Sequence, residues 1–467
     1  MGTLTSLLDI SREALLADQV ALNVTASNVA NQNTAGYTNE VVSFQSADAV
    51  TLSGGSYGAG VTASAVSQRD RVLEQRVQQQ TQTQAQSGAL ESALQQVQNI
   101  FGLSSTSTSA SSTQLGTDVN SFFSSLSALT SNPSDTATRQ SVLSAANTLA
   151  GDFNSTANQL AQVSSSLNQQ VVGDVSQVNS LTATVASLNA QIASISPNAD
   201  AGALEDQRQL AIAQLSQLVG LDQISTPQNG ITLTTSSGAV LVSGNQSYAV
   251  STTQVGGNTD VLAGDPPQDV TSNLTGGDLG GVLQARDTEL PAYSSALDSL
   301  AYGIGTQVNQ QNELGVDSSG NPGQAIFTLP TTQTGAASSI HVSPTDPGAI
   351  AAAMSGEGSA ANDNATALAT LSTANIVGSQ TASGFLASFL GQIGSDTAEA
   401  TTNNTAQQAT LTQLTTQRDS LSGVSLDEEA SNLTQYQRSY QAASQVFTIV
   451  DSLMASAINL GVETTVT

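Results

Sequence analysis

"SLDEEASNLTQYQRSYQAASQVFTIVDSLMASAINLG", residues 425–461, is the best-specified stretch of the chain. Ser425 can cap a helix while Glu428, three residues on, reaches back to its amide, the arrangement of a capping box. Asp427, Glu428 and Glu429 occupy the first turn, where the helix dipole favours anions. Leu433, Tyr436, Tyr440, Ala443, Phe447, Val450, Met454 and Ala457 then recur at steps of three and four, and Gly461 closes the run. The spacing predicts a helix carrying a coiled-coil seam of roughly three heptads.

The opposite end of the chain carries a weaker version of the same pattern. Over residues 4–30, Leu4, Leu8, Leu15, Leu22 and Val29 keep the 4-3 spacing, with Ser11, Asp18 and Thr25 filling the missing places. Such a stripe is too thin to hold an isolated helix, so the helix needs a partner. It runs into "VTASNVANQNTAGYTNEVVSF", residues 24–44. Asn31 or Asn33 tolerates left-handed backbone and bonds nearby main chain, and Gly36 permits a tight turn ahead of Tyr37. Together they predict a hinge that stops the helix and redirects the chain outward into strands. Pairing the two terminal helices, with everything between them looped out, is the economical arrangement. Local docking of each helix on its sequence neighbour is the alternative.

Between the ends, residues 40–66 alternate around "SGGSYGAGV" (53–61), which predicts two or three short strands and a reversal. A helix follows over about 67–101, through Leu73, Val77, Leu90, Leu94, Val97 and Phe101, and then a Ser/Thr spacer at 104–113. The longest periodicity spans about 118–220, broken at "SPNAD" (196–200), and predicts a long helical hairpin. Residues 223–270 alternate instead, through Ile231, Leu233, Val240, Val242, Tyr248 and Val250, with turns at Gly238 and Gly244, as in a β-meander. A helix at about 289–313, a short strand pair near 325–343, a helical return from 347 and a long helix at 381–422 complete the chain. The fold class is mainly α with a β-rich portion (α+β), elongated. Residues 1–36 plus 424–467 form a terminal helical inner domain, and 37–222 plus 281–423 a long-helix bundle with short strands. Residues 223–280 form a β-rich subdomain, and 324–365 a short irregular outer excursion.

Composition narrows the function. Charged residues make up 10% of 467 and aromatics 3%, without Trp, against a usual charged share of about a quarter. Thin cores between helices packed through Ala, Ser and Gly suit this chain better than one thick core. The net charge is −27, and every basic side chain apart from one His is Arg. That balance argues against nucleic acid and anionic membrane as partners, and no run of apolar residues is long enough to insert in a bilayer. The absence of Cys excludes disulfides, thiolate metal sites and cysteine catalysis. Residues 1–20 lack the features of a cleaved secretory signal. His341 stands alone, and "DSSGNPG" (317–323) has Pro322 where a calcium loop needs Gly, so it reads as a turn. No catalytic constellation, metal site or cofactor motif is present, and an enzyme is not the expectation.

"ASNVANQNTAGYTN" (26–39) resembles the N-terminal signature of the axial proteins of the bacterial flagellum, carried by Asn28, Ala30, Asn31, Asn33, Thr34, Gly36 and Tyr37. Ala35 stands where the signature usually has Pro. The C-terminal "GVSLDEEASNLTQYQRSYQAASQVFTIVDSLMASAINL" is similar to the hook-associated protein 1 family, the first hook-filament junction proteins. "YGAGVTASAVSQRDRVLEQRV", "SFFSSLSALTSNPSDTATRQSVLSAANTLAGDF", "LEDQRQLAIAQLSQLVG" and "LGGVLQARDTELPAY" match that family in order. The resemblance implies a structural subunit, exported by the flagellar type III apparatus without a cleaved signal peptide and extracellular in the flagellum. It implies assembly on the hook, with hook protein and the second junction protein as neighbours, in a homo-oligomeric ring or helical array. A cytoplasmic export chaperone would hold the C-terminal segment. The inner-helix residues Leu4, Leu8, Leu15, Leu22, Val29, Leu433, Tyr436, Tyr440, Phe447, Val450 and Met454 would then carry subunit interaction. A hook or filament subunit of the same machine is one alternative. A secreted coiled-coil adhesin is another, though it has no reason to keep Asn31, Asn33, Gly36 and Tyr37.

Overall fold

The computed structural model describes all residues except 1, 35, 48–49, 53–54, 58–59, 104–112, 196–200, 227–228, 359 and 464–467. Parts of the expected reversal at 53–61, most of the spacer at 104–113 and the breaker at 196–200 thus lie outside the described residues.

Helix α1 (Gly2–Asn31) leads into β1 (Glu40–Ser46), β2 (Val50–Leu52), β3 (Gly55–Tyr57) and β4 (Val61–Ser67). β1 pairs with β4 as an antiparallel ribbon and β2 pairs with β3 as a second antiparallel pair, so four strands form where the sequence predicts two or three. Helices α2 (Arg71–Ile100), α3 (Gln114–Ser131), α4 (Thr136–Ser194) and α5 (Gly202–Leu218) follow. At 59 residues, α4 is roughly 90 Å long and gives the molecule its elongation. Its buried positions, among them Val142, Leu149, Phe153, Leu160, Leu167, Val171, Val178 and Val185, keep helical spacing almost end to end.

β5 (Leu221–Thr226), β6 (Gly230–Thr235), β7 (Val240–Ser243) and β8 (Gln246–Ser247) make a four-stranded meander, as the alternation predicts. β9 (Ser251–Val255), β10 (Asn258–Ala263) and β11 (Gln268–Asp269) add a three-stranded sheet, and both sheets pack on α4. The next helix begins at Gly277, not near 289: α6 (Gly277–Gln284) passes through a π turn (Ala285–Glu289) into α7 (Leu290–Leu314). Gly281 lets α6 lie close against α2. A Cβ on Gly281 would stand 2.3 Å from the Gln86 carbonyl oxygen and 2.8 Å from Ala89 Cβ. Gly281→Ala is therefore expected to cost about 2 kcal/mol through overpacking. Thermal unfolding measures it, and an unchanged midpoint would contradict the close approach.

The rest of the chain is β12 (Gly315–Val316), β13 (Phe327–Thr328), α8 (Ala336–Ser339), β14 (His341–Val342), β15 (Ala353–Met354), α9 (Asp363–Thr370), α10 (Ala382–Ser422) and α11 (Leu426–Glu463). The helical return expected from 347 begins as a single 3-10 turn (Pro347–Ala349), and α-helix follows only at Asp363, because side-chain amides take main-chain partners in between. Asn312 Oδ1 accepts the Ala351 N–H at 2.9 Å, and Asn364 Nδ2 donates to the Ala351 carbonyl at 2.7 Å. The "DSSGNPG" stretch is a turn in which Asp317 Oδ1 accepts the N–H groups of Ser319 and Asn321, each at 2.8 Å.

One contiguous core runs from Ala89 to Ala400 and joins α2 through α7, α9, α10 and both sheets. Phe101 meets Phe389 edge-on at 5.1 Å between ring centres, and Phe122 meets Phe327 at 5.6 Å. No residue of α1, the β1–β4 ribbon or α11 belongs to that core. Those three elements pack on one another, α1 on α11 and the ribbon on α1, with Phe44 of β1 6.1 Å from Tyr436 of α11. The ribbon therefore sits with the terminal helices, and a boundary at 36/37 cuts through that packing.

Candidate assembly site

The terminal helices meet along a seam of small and polar side chains. On α1 the buried residues are Ser11, Ala17, Asp18, Ala21, Val24, Thr25 and Asn28. The apparent interruptions at Ser11, Asp18 and Thr25 are thus the innermost positions, while Leu4, Leu8, Leu15 and Leu22 are half-buried beside them and Val29 is exposed. This reverses the reading of the stripe. α1 is covered on two sides, by α11 and by the ribbon, and only small residues fit between both.

On α11, Leu433, Tyr436, Phe447 and Met454 are half-buried, Val450 is buried and Tyr440 is exposed. α11 packs on α1 of the same chain, and Tyr436 also meets Phe44 of β1. A second apolar set points away: Leu7 and Leu16 of α1 with Val446, Ile449, Leu453 and Ile458 of α11 are between 45% and 58% exposed. The 3-4 steps of the sequence predict one stripe, whereas α11 carries two. The phase Val446, Ile449, Leu453 was the available signal for the outer one.

Asn28 holds the seam to the hinge. Its side chain is 1% exposed and makes four hydrogen bonds. Nδ2 donates to the Glu40 carbonyl at 2.8 Å and to Glu429 Oε1 at 3.1 Å. Oδ1 accepts from Tyr37 Oη at 2.8 Å and from the Glu40 N–H at 3.1 Å. One primary amide so joins the end of α1, the exit loop, β1 and the first turn of α11. Burial pushes the Glu429 carboxyl above the usual range, while the Asn28 amide pulls it the other way. Glu429 was read as one of three first-turn acids; it is the buried one, whereas Glu428 and Ser425 are exposed. Ser425 immediately precedes α11, and its carbonyl accepts the Glu429 N–H at 2.9 Å.

The hinge turns on Gly36, which adopts φ +80°. Among the described residues only Asn229 takes positive φ outside glycine, so neither Asn31 nor Asn33 uses left-handed backbone. Asn31 instead bonds backwards, Nδ2 to the Ser27 carbonyl at 3.0 Å, and its own carbonyl accepts the Thr34 N–H at 2.8 Å. Asn33 is exposed.

Just beyond the hinge, three passes of the chain are laced together. The Asn39 N–H donates to the Ser422 carbonyl at 2.8 Å, the Gln68 N–H to the Asn39 carbonyl at 2.8 Å, and Ser422 Oγ to the Gln68 carbonyl at 2.9 Å. Arg69 anchors this joint to the body, ion-paired with Glu205 at 3.1 Å, with Glu74 at 3.4 Å and with Asp206. Asp206 Oδ2 in turn accepts the Thr38 N–H at 3.1 Å. Burial still outweighs Arg69 at Glu74, whose carboxyl is raised. None of Asn28, Arg69 and Ser422 can be singled out by periodicity, since each acts across hundreds of residues or through main chain.

Nothing in this constellation is arranged for bond chemistry. Among the described residues no group of three His, Asp or Glu side chains could hold a metal ion, and no helix is long and apolar enough to cross a membrane. The geometry suits mechanical joining.

The chain is similar to known flagellar proteins. The family model described as "Flagellar hook-associated protein FlgK helical domain" matches residues 94–327. Models for "Flagella basal body rod protein" and "Flagellar basal body rod FlgEFG protein C-terminal" match residues 8–38 and 416–460, the two terminal helices. Flagellar hook-associated protein 1 of Bacillus subtilis is 30% identical, over 97% of this chain and 97% of that protein. The Escherichia coli protein of the same name is 26% identical, over 98% of this chain and 100% of its own. The solved flagellar hook junction protein FlgK of Burkholderia pseudomallei shares the fold, with a TM-score of 0.68 and 20% identity over 74% of this chain and 99% of that one.

Proposed function

The chain belongs to the flagellar hook-associated protein 1 family, and from that premise we propose that it forms the junction between hook and filament, assembling through its terminal helices. As a member of a flagellar structural family it assembles with other axial proteins; its immediate neighbours in this reading are hook protein and the second junction protein. The observation that carries the reading is the pairing of the two chain ends. Asn28 and Glu429, 401 residues apart, close a unit separate from the main core, and that unit turns a second apolar face outward. Apolar surface of this extent on two adjacent helices is stabilised when neighbouring subunits cover it.

The inner domain then comprises α1, the ribbon and α11, and the body from α2 to α10 projects from it. Export by the flagellar type III apparatus without a cleaved signal, a chaperone on the C-terminal segment, a ring or helical array of copies and an extracellular location belong to the same proposal. Deleting the gene tests it. The expected outcome is complete hooks, no filaments, and filament subunits released into the medium; normal filaments on the mutant would overturn the reading.

A further inference from the structure

The chain has nine arginines and no lysine, so positive charge is scarce and its placement is informative. Three of the nine, Arg69, Arg71 and Arg208, line one half-enclosed cavity of about 140 Å³ between the start of α2, α5 and the β5–β6 pair. Glu205 is the only carboxylate in its lining, and it is engaged by Arg69. The other two guanidinium groups have no carboxylate partner among the described residues. Arg208 is 4% exposed; Nη1 donates to Asn189 Oδ1 at 2.9 Å and to the Asn229 carbonyl at 2.5 Å, but Nε is buried with no acceptor. Arg71 is exposed at the mouth. Burial penalises the Arg208 charge, a cost that an anion seated in the cavity would relieve. At about 140 Å³ the space admits one carboxylate together with water.

From this geometry we infer that the cavity is a socket for a side-chain carboxylate of a neighbouring copy of the chain. The inference rests on the proposed assembly, and three features select that occupant. A surface with net charge −27 brings carboxylates wherever a second copy touches. The planar fork of Arg matches a carboxylate better than any other common side chain. The socket also adjoins the laced joint through Arg69, and Val72 in its lining is 64% exposed, so the cavity opens on surface that a second copy can reach.

The chain has no Cys, so Gln75→Cys places a unique thiol in the cavity lining for a benzophenone photo-crosslinker. Irradiating cells that carry assembled flagella is expected to give a covalent dimer of this chain. The dimer should be absent from the purified monomer and fall at least tenfold when Arg71→Glu is added. A crosslink only to some other protein, or none on assembled flagella, would overturn the socket. Arg71→Glu alone, at an exposed position without an ion pair, separates the two proposals. If gene deletion leaves filaments intact, the junction reading fails. If deletion removes filaments while the Arg71→Glu chain restores them in normal number, the socket alone fails.

Discussion

Asn28→Ala is expected to release α1 from α11 and from the exit loop at a cost of about 3 kcal/mol. The substitution removes all four hydrogen bonds of a side chain that is 1% exposed; the Glu40 N–H and carbonyl and one Glu429 oxygen lose that partner, while the Tyr37 hydroxyl keeps Ser27 Oγ at 3.4 Å. Each orphaned group carries a desolvation penalty of about 1–3 kcal/mol, partly relieved because this small unit can admit water. The main core does not include these residues, so the loss is local opening rather than global unfolding. Amide exchange in α1 should accelerate about a hundredfold while that of α4 stays unchanged. Equal exchange in variant and parent would show that Asn28 does not hold the seam. Asn28→Asp sharpens the test, since it keeps the shape but sets a carboxylate against Glu429. Its damage should exceed that of Ala at neutral pH and shrink as the medium is acidified enough to protonate the pair.

The contrast between legible and hidden elements follows from the range of the forces involved. α4 and α11 could be read because their apolar stripes repeat along the chain, and the meander because Ile231 and Leu233 alternate inward. Local pattern also located the hinge at Gly36, where the fold requires φ +80°. It could not assign Asn28, whose decisive partner Glu429 lies 401 residues away. Nor could it separate the inner stripe of α11 from the outer one, because both keep steps of three and four. The α1 stripe misled for a physical reason. Leucines mark the buried face of a helix with one partner, but α1 has two, and the space between them takes Ser11, Ala17, Ala21 and Thr25. Gly281 of α6 is likewise there for packing, in its close approach to Gln86 and Ala89 of α2.

The same reasoning extends to acids in the body. Asp174→Asn is expected to stabilise the protein by about 2 kcal/mol at pH 8 and to change little below pH 4. Asp174 lies on α4, 6% exposed, with Oδ2 lacking a partner. Burial, and after it the neighbouring carboxyl of Asp278, push its own carboxyl up to about 7. Gln170 Nε2 donates to Asp278 Oδ2 at 2.5 Å and holds that carboxyl beside Asp174. A folded-state value above that of the unfolded chain means the native state holds the proton more tightly. The contribution is therefore fully present below about pH 4 and is lost as pH rises through about 7. A displacement of this size corresponds to about 4 kcal/mol, and solvent around the half-buried Asp278 reduces it to about 2. Asn replaces the protonated carboxyl with a donor that never ionises, so the variant keeps at pH 8 what the parent retains only in acid. Thermal midpoints of both proteins at pH 4 and pH 8 measure it as a difference, which cancels the titration of every other group. A gain of equal size at both pH values would mean that Asp174 is already neutral, or already solvated, in the parent.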